Sequence, residues 1–540
     1  MEKICLAVFV ALFLYIGPGT IFGHSIMHEF PYGYYASDTF QHQVRADAIK
    51  DAGNFRNEAF YISKGAENIV GHYPPLIYHI SIIFSYAAGI EAYDAIYFIV
   101  FFFAIVGITI MYLIIKDFNR HIALISLPLA IIMFTYPLLI GFTWGHWPSV
   151  LAQSFLIVFA WCLMKIELKH SFVLISIAFS SVLLTHTSEG VFAFIFMALF
   201  FAARFIAKKL NRAEIKNIAI AMSISFIASV YYVIIFMNTW SRTQPYTFLI
   251  EPLWDGNPGF YIANFGIILI FIIAGIIFSS FKLKEMHTSI IFAFAMLLSG
   301  FLNYVGFGLR SFQIRFFWPV YLSVFFGFGI YMLLKIVFKK WSIAYTITLS
   351  LIFVLLLMGY PKISFIPSYT KSESQGIMDS YHWSALKWLS NTEPNSKIYF
   401  FYSDIYDQDA VLRNTKRFHY LIDRDSFVNA IQEKKIKRYY TSELPGDSGG
   451  GIITRTGIFS FEDATTKYPQ DYFFGPQDIC KFDYIVLDKP QSDKDIRIYN
   501  MLVASELLKK NFIEKKFDNE ATIILKNNKI GADCIEERSF

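Results

Sequence analysis

A series of apolar runs, each close to 20 residues long, constrains this chain more than any other feature. A helix needs about 20 apolar residues to cross the hydrocarbon core of a bilayer. The runs fall at 4–22, 95–115, 122–140, 149–164, 171–187, 191–207, 218–237, 260–280, 288–303, 318–336 and 342–360. With 55% hydrophobic and 16% charged residues, they exclude a soluble globular protein and predict a polytopic α-helical membrane protein of about 11–13 spans.

The basic residues between the runs predict the topology. Loops that contain Lys or Arg fall on alternate connections along the chain, namely Lys116/Arg120, Lys165/Lys169, Lys208 to Lys216, Lys282/Lys284 and Lys335 to Lys340. The positive-inside rule places these loops and the N-terminus in the cytoplasm. The chain is therefore predicted to be a multi-pass protein of the cell membrane. The apolar stretch 73–90 would break this alternation as a full span, so it is predicted to be an interfacial or re-entrant helix. The net charge of +5 includes no basic block, so nucleic-acid binding is not supported.

Two domains follow from this pattern: a membrane domain over 1–360 with a long first outer loop (23–94), and a soluble α/β domain over 361–540 on the extracytoplasmic side. Helices are predicted over 379–391 and 495–510, and strands over 397–402, 482–487 and 521–526. Cys5 and Cys162 fall in apolar segments, whereas Cys480 and Cys534 lie in the soluble domain and would pair only in an oxidising compartment.

The first outer loop is predicted to contain a helix with three polar side chains on one face. Asp38, His42 and Arg45 recur at spacings of four and three residues. A carboxylate beside an imidazole can act as a general base towards a hydroxyl, while the guanidinium binds a phosphate leaving group. A solvated interfacial helix with a local ion pair explains the same spacing.

Other candidate binding residues are predicted to open on the outer face. Tyr73 precedes two prolines where the first loop returns to the membrane, and His146, His186 and Glu189 lie at the ends of spans. Ionisable groups at such positions are candidates for a shared cavity, because contact with lipid is costly. The neighbouring Trp144 and Trp147 are better explained as an interfacial aromatic belt.

Arg310 and Arg315 lie in a late outer loop, on the side that the positive-inside rule leaves poor in cations. Arginine matches phosphate geometry, so these residues indicate an anionic ligand, with contact to lipid head groups as the alternative. The histidines also leave a divalent metal open, but none of them has a specific metal-ligand spacing, and no cofactor is predicted with certainty.

Together, the segments Ser37-Asp-Thr-Phe-Gln-His42 and Tyr73-Pro-Pro-Leu76, the loop from Arg310 to Pro319 and the α/β tail resemble the GT-C superfamily of membrane glycosyltransferases. The similarity is greatest to its protein O-mannosyltransferase and aminoarabinose-transferase branches. The resemblance implies transfer of a sugar from a polyprenyl-phosphate donor to an acceptor lipid, glycan or protein on the outer side. It further implies that Asp38 is the catalytic acidic residue and that Arg310 or Arg315 binds the lipid-linked phosphate. No Trp-Trp-Asp acceptor motif follows Pro361, and Gly145-His146 stands where many relatives have a carboxylate.

Two other functions are consistent with the sequence. A transporter or lipid flippase would also have many spans with scattered ionisable residues, although its polar groups would be expected near the middle of the membrane, often in two related halves. A non-catalytic paralogue that binds a lipid-linked sugar is the third alternative. Each of the three would contact membrane lipids.

Overall fold

The structure is a computed structural model. It describes residues 2–21, 25, 27–35, 37–53, 74–135, 138–240, 262, 265–306, 314–337, 342–358, 378–400, 411–412, 416–419, 482–491 and 494–528. The chain divides into two compact units. The membrane unit comprises Met1–Met27 and His72–Ser372, and the C-terminal unit comprises His28–Gly71 and Glu373–Phe540. Residues 28–71 of the predicted first outer loop thus group with the C-terminal unit.

The described helices of the membrane unit follow the predicted spans. They are α1 (Glu2–Ile21), α3 (Leu76–Ala88), α4 (Ala92–Phe118), α5 (Arg120–Ser126), α6 (Ile140–Thr143), α7 (Trp147–Met164), α8 (Ser171–Leu183), α9 (Thr187–Ile206), α10 (Arg212–Trp240), α11 (Ile268–Lys282), α12 (Thr288–Ser299), α13 (Trp318–Tyr321), α14 (Ser323–Val337) and α15 (Ile343–Met358). Five described segments are long and apolar enough to cross a membrane, at Ala92–Phe118, Trp147–Met164, Thr187–Ile206, Arg212–Tyr232 and Arg315–Ile336. The prediction of a helical membrane protein is confirmed.

Local sequence explains where several of these helices begin and end. The side chain of Asn119 accepts hydrogen bonds from the main-chain N–H groups of His121 and Ile122 and so caps α5. The predicted span 122–140 is not one regular helix, because a 3₁₀ helix (Leu127–Phe134) with Pro128 at its start follows α5 directly. The stretch predicted to be interfacial or re-entrant forms the 13-residue helix α3, which ends at Gly89 in the left-handed conformation (φ 68°).

Ion pairs connect the C-terminal ends of three long helices. Lys116 at the end of α4 pairs with Glu2 (2.6 Å), and Lys165 after α7 pairs with Asp117 (2.9 Å). Arg204 in the last turn of α9 pairs with Glu167 and Glu214. Lys116, Lys165 and Arg204 therefore lie at one end of this helix bundle.

Glycines allow α14 to approach two neighbouring helices at the backbone. A Cβ atom on Gly275 of α11 would overlap the carbonyl group of Phe325 in α14, and one on Gly329 of α14 would overlap the carbonyl of Phe271 in α11. On another side of α14, a Cβ atom on Gly327 would meet the carbonyl of Ile122 in α5. Small residues at helix contacts permit this close packing in membrane proteins.

The C-terminal unit contains a five-stranded mixed sheet. Its strands are β1 (Lys397–Phe400), β2 (Lys416–His419), β3 (Tyr484–Asp488), β4 (Ile513–Asp518) and β5 (Thr522–Asn527), and their order is β2-β1-β3-β5-β4. β1 pairs in parallel with β2 and β3, whereas β5 runs antiparallel to β3 and β4. The predicted α/β class is confirmed.

Three described helices belong to the same unit: α2 (Ser37–Ala52), α16 (Ser380–Ser390) and α17 (Lys494–Leu508). The apolar residues of α16 include Leu386 and Leu389, both 0% exposed, and Val503 of α17 is also fully buried. Side chains of β3 are buried along the whole strand, which is typical of a central strand with both faces covered. β2 and β4 had not been predicted.

Candidate functional site

The first-loop helix α2 has the polar side chains that were predicted to share a face. Asp38 is half-buried, and His42 and Arg45 are each 3% exposed. The apolar side chains of Phe40 and Val44 on another face are 0% exposed. Because both faces are buried, the alternative of a helix with its polar side in open solvent does not hold.

The carboxyl group of Asp38 is poised to hold a proton more readily than an exposed aspartate. Burial raises the pKa of Asp38 above its ordinary value, and the positive charge of Arg45 opposes this rise. Arg45 itself donates from Nη1 to the main-chain oxygen of Gln41 at 3.0 Å, which holds its side chain along the helix. A carboxylate with a raised pKa is a better proton acceptor near neutral pH than an ordinary one.

The membrane unit contains a buried hydrogen-bond network around Glu189. This carboxylate lies in the first turn of α9 and is 0% exposed. It accepts hydrogen bonds from Ser149 Oγ (2.6 Å), from Gln153 Nε2 (3.3 Å) and from His186 Nδ1. The structure thus brings together two predicted residues, His186 and Glu189, with two from the start of α7 that had not been singled out.

Tyr321 extends this network from α13. It is 0% exposed and interacts electrostatically with Glu189. Its hydroxyl has no hydrogen-bond partner within the part of the chain that the structure describes. No sequence pattern distinguishes Tyr321, because aromatic residues are abundant throughout the membrane domain.

Arg315 is fully buried. Its Nε donates to the main-chain oxygen of Gly300 (2.6 Å) and its Nη2 to Asn303 Oδ1 (2.7 Å). The guanidinium also lies 5.4 Å from the ring centre of Phe301 and 5.5 Å from that of Trp318. These contacts fix the cation at the end of α12.

His146 and the loop around it pack against the segment that contains Arg315. The ring of His146 lies 4.8 Å from that of Phe316. Trp147 is 0% exposed, donates from its indole to the main-chain oxygen of Phe142 and packs on Tyr97. The aromatic-belt interpretation is therefore wrong for Trp147, whereas the 42% exposed Trp144 is compatible with it.

Comparisons with solved structures relate this architecture to known enzymes. The oligosaccharyltransferase of Archaeoglobus fulgidus in its apo form matches with a TM-score of 0.54 at 12% identity, over 93% of this chain and 71% of that chain. AglB from the same organism, in complex with an inhibitory peptide and a dolichol-phosphate, matches with a TM-score of 0.51 at 12% identity, over 77% of this chain and 64% of that chain. ArnT from Cupriavidus metallidurans in the apo state matches with a TM-score of 0.52 at 10% identity, over 96% of this chain and 97% of that chain. The chain has the GT-C fold.

The length of the match differs between these solved structures. This chain spans 64% of the length of AglB in its dolichol-phosphate complex, but nearly all of ArnT, including the structure that is bound to undecaprenyl phosphate (99% of that chain, TM-score 0.50, 10% identity). No family model and no curated protein sequence matches the chain. The fold assignment therefore rests on structural similarity alone. It agrees with the fold that the resemblance of the first-loop and late-loop segments implied.

Some predicted residues lie outside the described residues, namely Tyr73, Arg310, Cys480 and Cys534. Among the described residues, no group of three or more His, Cys, Asp or Glu side chains is placed to hold a metal ion. The described binding candidates are thus α2 with Asp38, the Glu189 network, and the segment with His146 and Arg315.

Proposed function

We propose that this protein is a membrane glycosyltransferase that moves a sugar from a polyprenyl-phosphate donor to a hydroxyl group of an acceptor. The observation that carries the proposal is the GT-C fold combined with a first-loop carboxylate, Asp38, whose pKa is raised by burial. Two structures with this fold were solved with dolichol-phosphate or undecaprenyl phosphate. A lipid-linked donor is therefore the substrate class that the fold favours.

The residues are assigned the following roles. Asp38 removes the proton from the acceptor hydroxyl, and the oxygen attacks the anomeric carbon of the sugar. The bond between this carbon and the lipid phosphate breaks on the opposite side, so the configuration is inverted and the phosphate leaves with the bonding electrons. Arg310 and Arg315 offset the negative charge that develops on this phosphate.

The remaining candidates are assigned to substrate binding. His42 and Arg45 share the face of α2 with Asp38. Tyr73, His146, His186 and Glu189 are proposed to bind polar groups of donor or acceptor. For Glu189, the three hydrogen bonds that it already accepts favour a positioning role, in which it holds His186.

The reaction is proposed to take place on the extracytoplasmic side of the cell membrane, with the N-terminus in the cytoplasm. Support comes from the alternation of the basic loops and from the ion pairs that gather basic residues at one end of the helix bundle. In a cysteine-free background, an impermeant maleimide added to intact cells should label Ser390→Cys in the C-terminal unit but not Lys169→Cys. The reverse pattern would contradict this topology.

Purified protein incubated with a panel of polyprenyl-phosphate sugars and candidate acceptors provides the direct test, with products read by mass spectrometry. Asp38→Asn should abolish transfer without changing membrane insertion or the unfolding temperature. Asp51→Asn, an exposed carboxylate on the same helix, is the matched control and should retain activity. Turnover by Asp38→Asn would remove Asp38 from its role, and donor binding without turnover by the unaltered protein would support a non-catalytic binding protein.

A further inference from the structure

Gln41 of α2 is a buried side chain whose amide makes no hydrogen bond within the described part of the chain. It is 3% exposed, and neither Nε2 nor Oε1 has a hydrogen-bond partner among the described residues. Buried polar groups in folded proteins are nearly always paired, since an unpaired one loses its hydrogen bonds to water without replacement. An amide unpaired at both ends therefore points to a polar ligand that completes it.

The position of Gln41 connects this amide with the proposed catalytic base. Gln41 lies three residues after Asp38 and four before Arg45, so the helical period places the three side chains on one face. Arg45 donates to the main-chain oxygen of Gln41 at 3.0 Å, and its charge acts on Asp38. A ligand that reaches Asp38 along this face would also meet the amide of Gln41.

The chemistry of an amide narrows the class of this ligand. A carboxamide offers two N–H donors and one carbonyl acceptor. A phosphate group only accepts hydrogen bonds and would leave Oε1 unpaired, while an acyl chain would leave both ends unpaired. Neighbouring hydroxyl groups of a sugar can donate and accept at the same time, so they satisfy both ends of the amide.

We propose that Gln41 is a specificity-determining residue that binds a pair of neighbouring hydroxyl groups on a sugar, next to Asp38. This inference rests on the proposed function for the role of Asp38. The sugar is either the one carried by the polyprenyl-phosphate donor or a sugar of the acceptor. The two sources share the same chemistry and are separated by the experiment.

Gln43 provides a matched control on the same helix. It has the same side chain and is equally buried at 2% exposed, but two residues further along it lies on a different face. Its Nε2 donates to Asp47 at 3.4 Å, so only its Oε1 lacks a partner among the described residues. A replacement there changes the same chemical group away from Asp38.

The experiment compares Gln41→Met and Gln43→Met in the full-length protein, reconstituted in nanodiscs. The probes are polyprenyl-phosphate mannose, glucose and galactose, whose sugars differ only in the orientation of hydroxyl groups. For the donor that the unaltered protein uses, Gln41→Met should lower kcat/KM by about 30-fold, as expected for the loss of two neutral hydrogen bonds. Discrimination between the three sugars should fall as well, whereas Gln43→Met should stay within about 3-fold of the unaltered protein.

Further measurements separate binding from a structural role. Because the amide of Gln41 makes no hydrogen bond with any described residue, Gln41→Met should not lower the unfolding temperature. A rise in the KM of the donor identifies the donor sugar as the ligand, and a rise confined to the KM of the acceptor identifies the acceptor. Gln41→Leu, of similar size, repeats the comparison with a second apolar side chain.

Unchanged kcat/KM and unchanged sugar discrimination in Gln41→Met would overturn the inference, while the inactivity of Asp38→Asn would still support the proposed function. A lower unfolding temperature in both the Met and the Leu variant would also overturn it, because the amide would then be required for folding. If the unaltered protein neither binds nor turns over any of the donors, the proposed function fails and the inference fails with it.

Discussion

Replacement of His382 by glutamine should loosen the C-terminal unit where α16 meets β3. His382 lies between two carboxylates: its Nδ1 is 2.5 Å from Asp379 Oδ2, and its Nε2 is 2.8 Å from Asp488 Oδ1. Asp379 caps the start of α16, and Asp488 is the fully buried last residue of β3. A protonated imidazole donates to both carboxylates and so connects the helix with the sheet.

The size of the effect follows from the pKa of His382. Burial alone would lower this pKa, but the hydrogen bonds and charges of Asp379 and Asp488 outweigh the effect of burial. The net result is a rise in the pKa of His382 from 6.5 to about 10. This difference corresponds to about 5 kcal/mol of preference for the protonated form. Loss of one partner of a buried ion pair costs about 3–5 kcal/mol. We expect about 3 kcal/mol of local stability to be lost, since the side chain of His382 retains 16% exposure.

Hydrogen exchange of the full-length protein, read by mass spectrometry at pH 6, measures this loss. A local loss of about 3 kcal/mol lowers the protection of amides in 380–390 by about 100-fold. Peptides from α4 serve as an internal reference. Lys387→Gln, exposed on the same helix, is the control and should leave protection unchanged. Equal exchange of His382→Gln and the unaltered protein would refute the reasoning.

The same ion pairs predict how the stability of this contact depends on pH. Because the folded-state pKa of His382 is raised, its contribution is fully present below pH 6.5 and is lost as the pH rises through about 10. The pKa of Asp379 is lowered despite burial, mainly by its hydrogen bond with His382, so its contribution is lost as the pH falls below 3.8. After correction for the intrinsic exchange rate, the protection of amides in 380–390 should therefore be greatest between about pH 3.8 and pH 6.5. Constant protection from pH 7 to pH 10 would contradict the assignment.

Three further variants test other parts of the chain. Glu189→Ala removes the acceptor of three buried hydrogen bonds, so it should lower the unfolding temperature in detergent far more than Glu189→Gln. Equal unfolding temperatures of the two variants would argue against a structural network. Arg45→Met removes the charge that lowers the pKa of Asp38, so the acid limb of the pH profile of kcat/KM should move to higher pH. An acid limb at the same pH as in the unaltered protein would count against Asp38 as the base. Gly275→Val places a side chain against the Phe325 carbonyl and should lower the unfolding temperature by several degrees, whereas an unaffected protein would show that the helices can separate at little cost.

The membrane helices were predictable because length and hydrophobicity determine them almost alone. A bilayer requires apolar helices of a set length, so α4, α7 and α9 lie within a few residues of their predicted positions. The strands β2 and β4 were missed, because Lys416–His419 and Ile513–Asp518 are rich in charged residues and lack a clear alternation. Both are edge strands of the sheet, where charged residues are common.

The candidate site was predictable to a smaller extent. Helical spacing placed Asp38, His42 and Arg45 on one face, because the period of a helix is fixed. The unpaired amide of Gln41 depends on tertiary packing, which spacing does not encode. The contacts of Arg315 with Asn303 and Gly300 join positions 12 and 15 residues apart, respectively, and no local pattern in the sequence connects them.

The glycine contacts of α14 limit how the membrane unit can change shape. Main-chain atoms of α14 touch those of α11 near Gly275 and Gly329, and those of α5 near Gly327. If α14 slid or rotated, side chains would enter positions where only the hydrogen atom of a glycine fits. We therefore expect α5, α11 and α14 to move as one rigid body. The segment from Arg315 to Tyr321 leads directly into α14, so it moves together with these three helices.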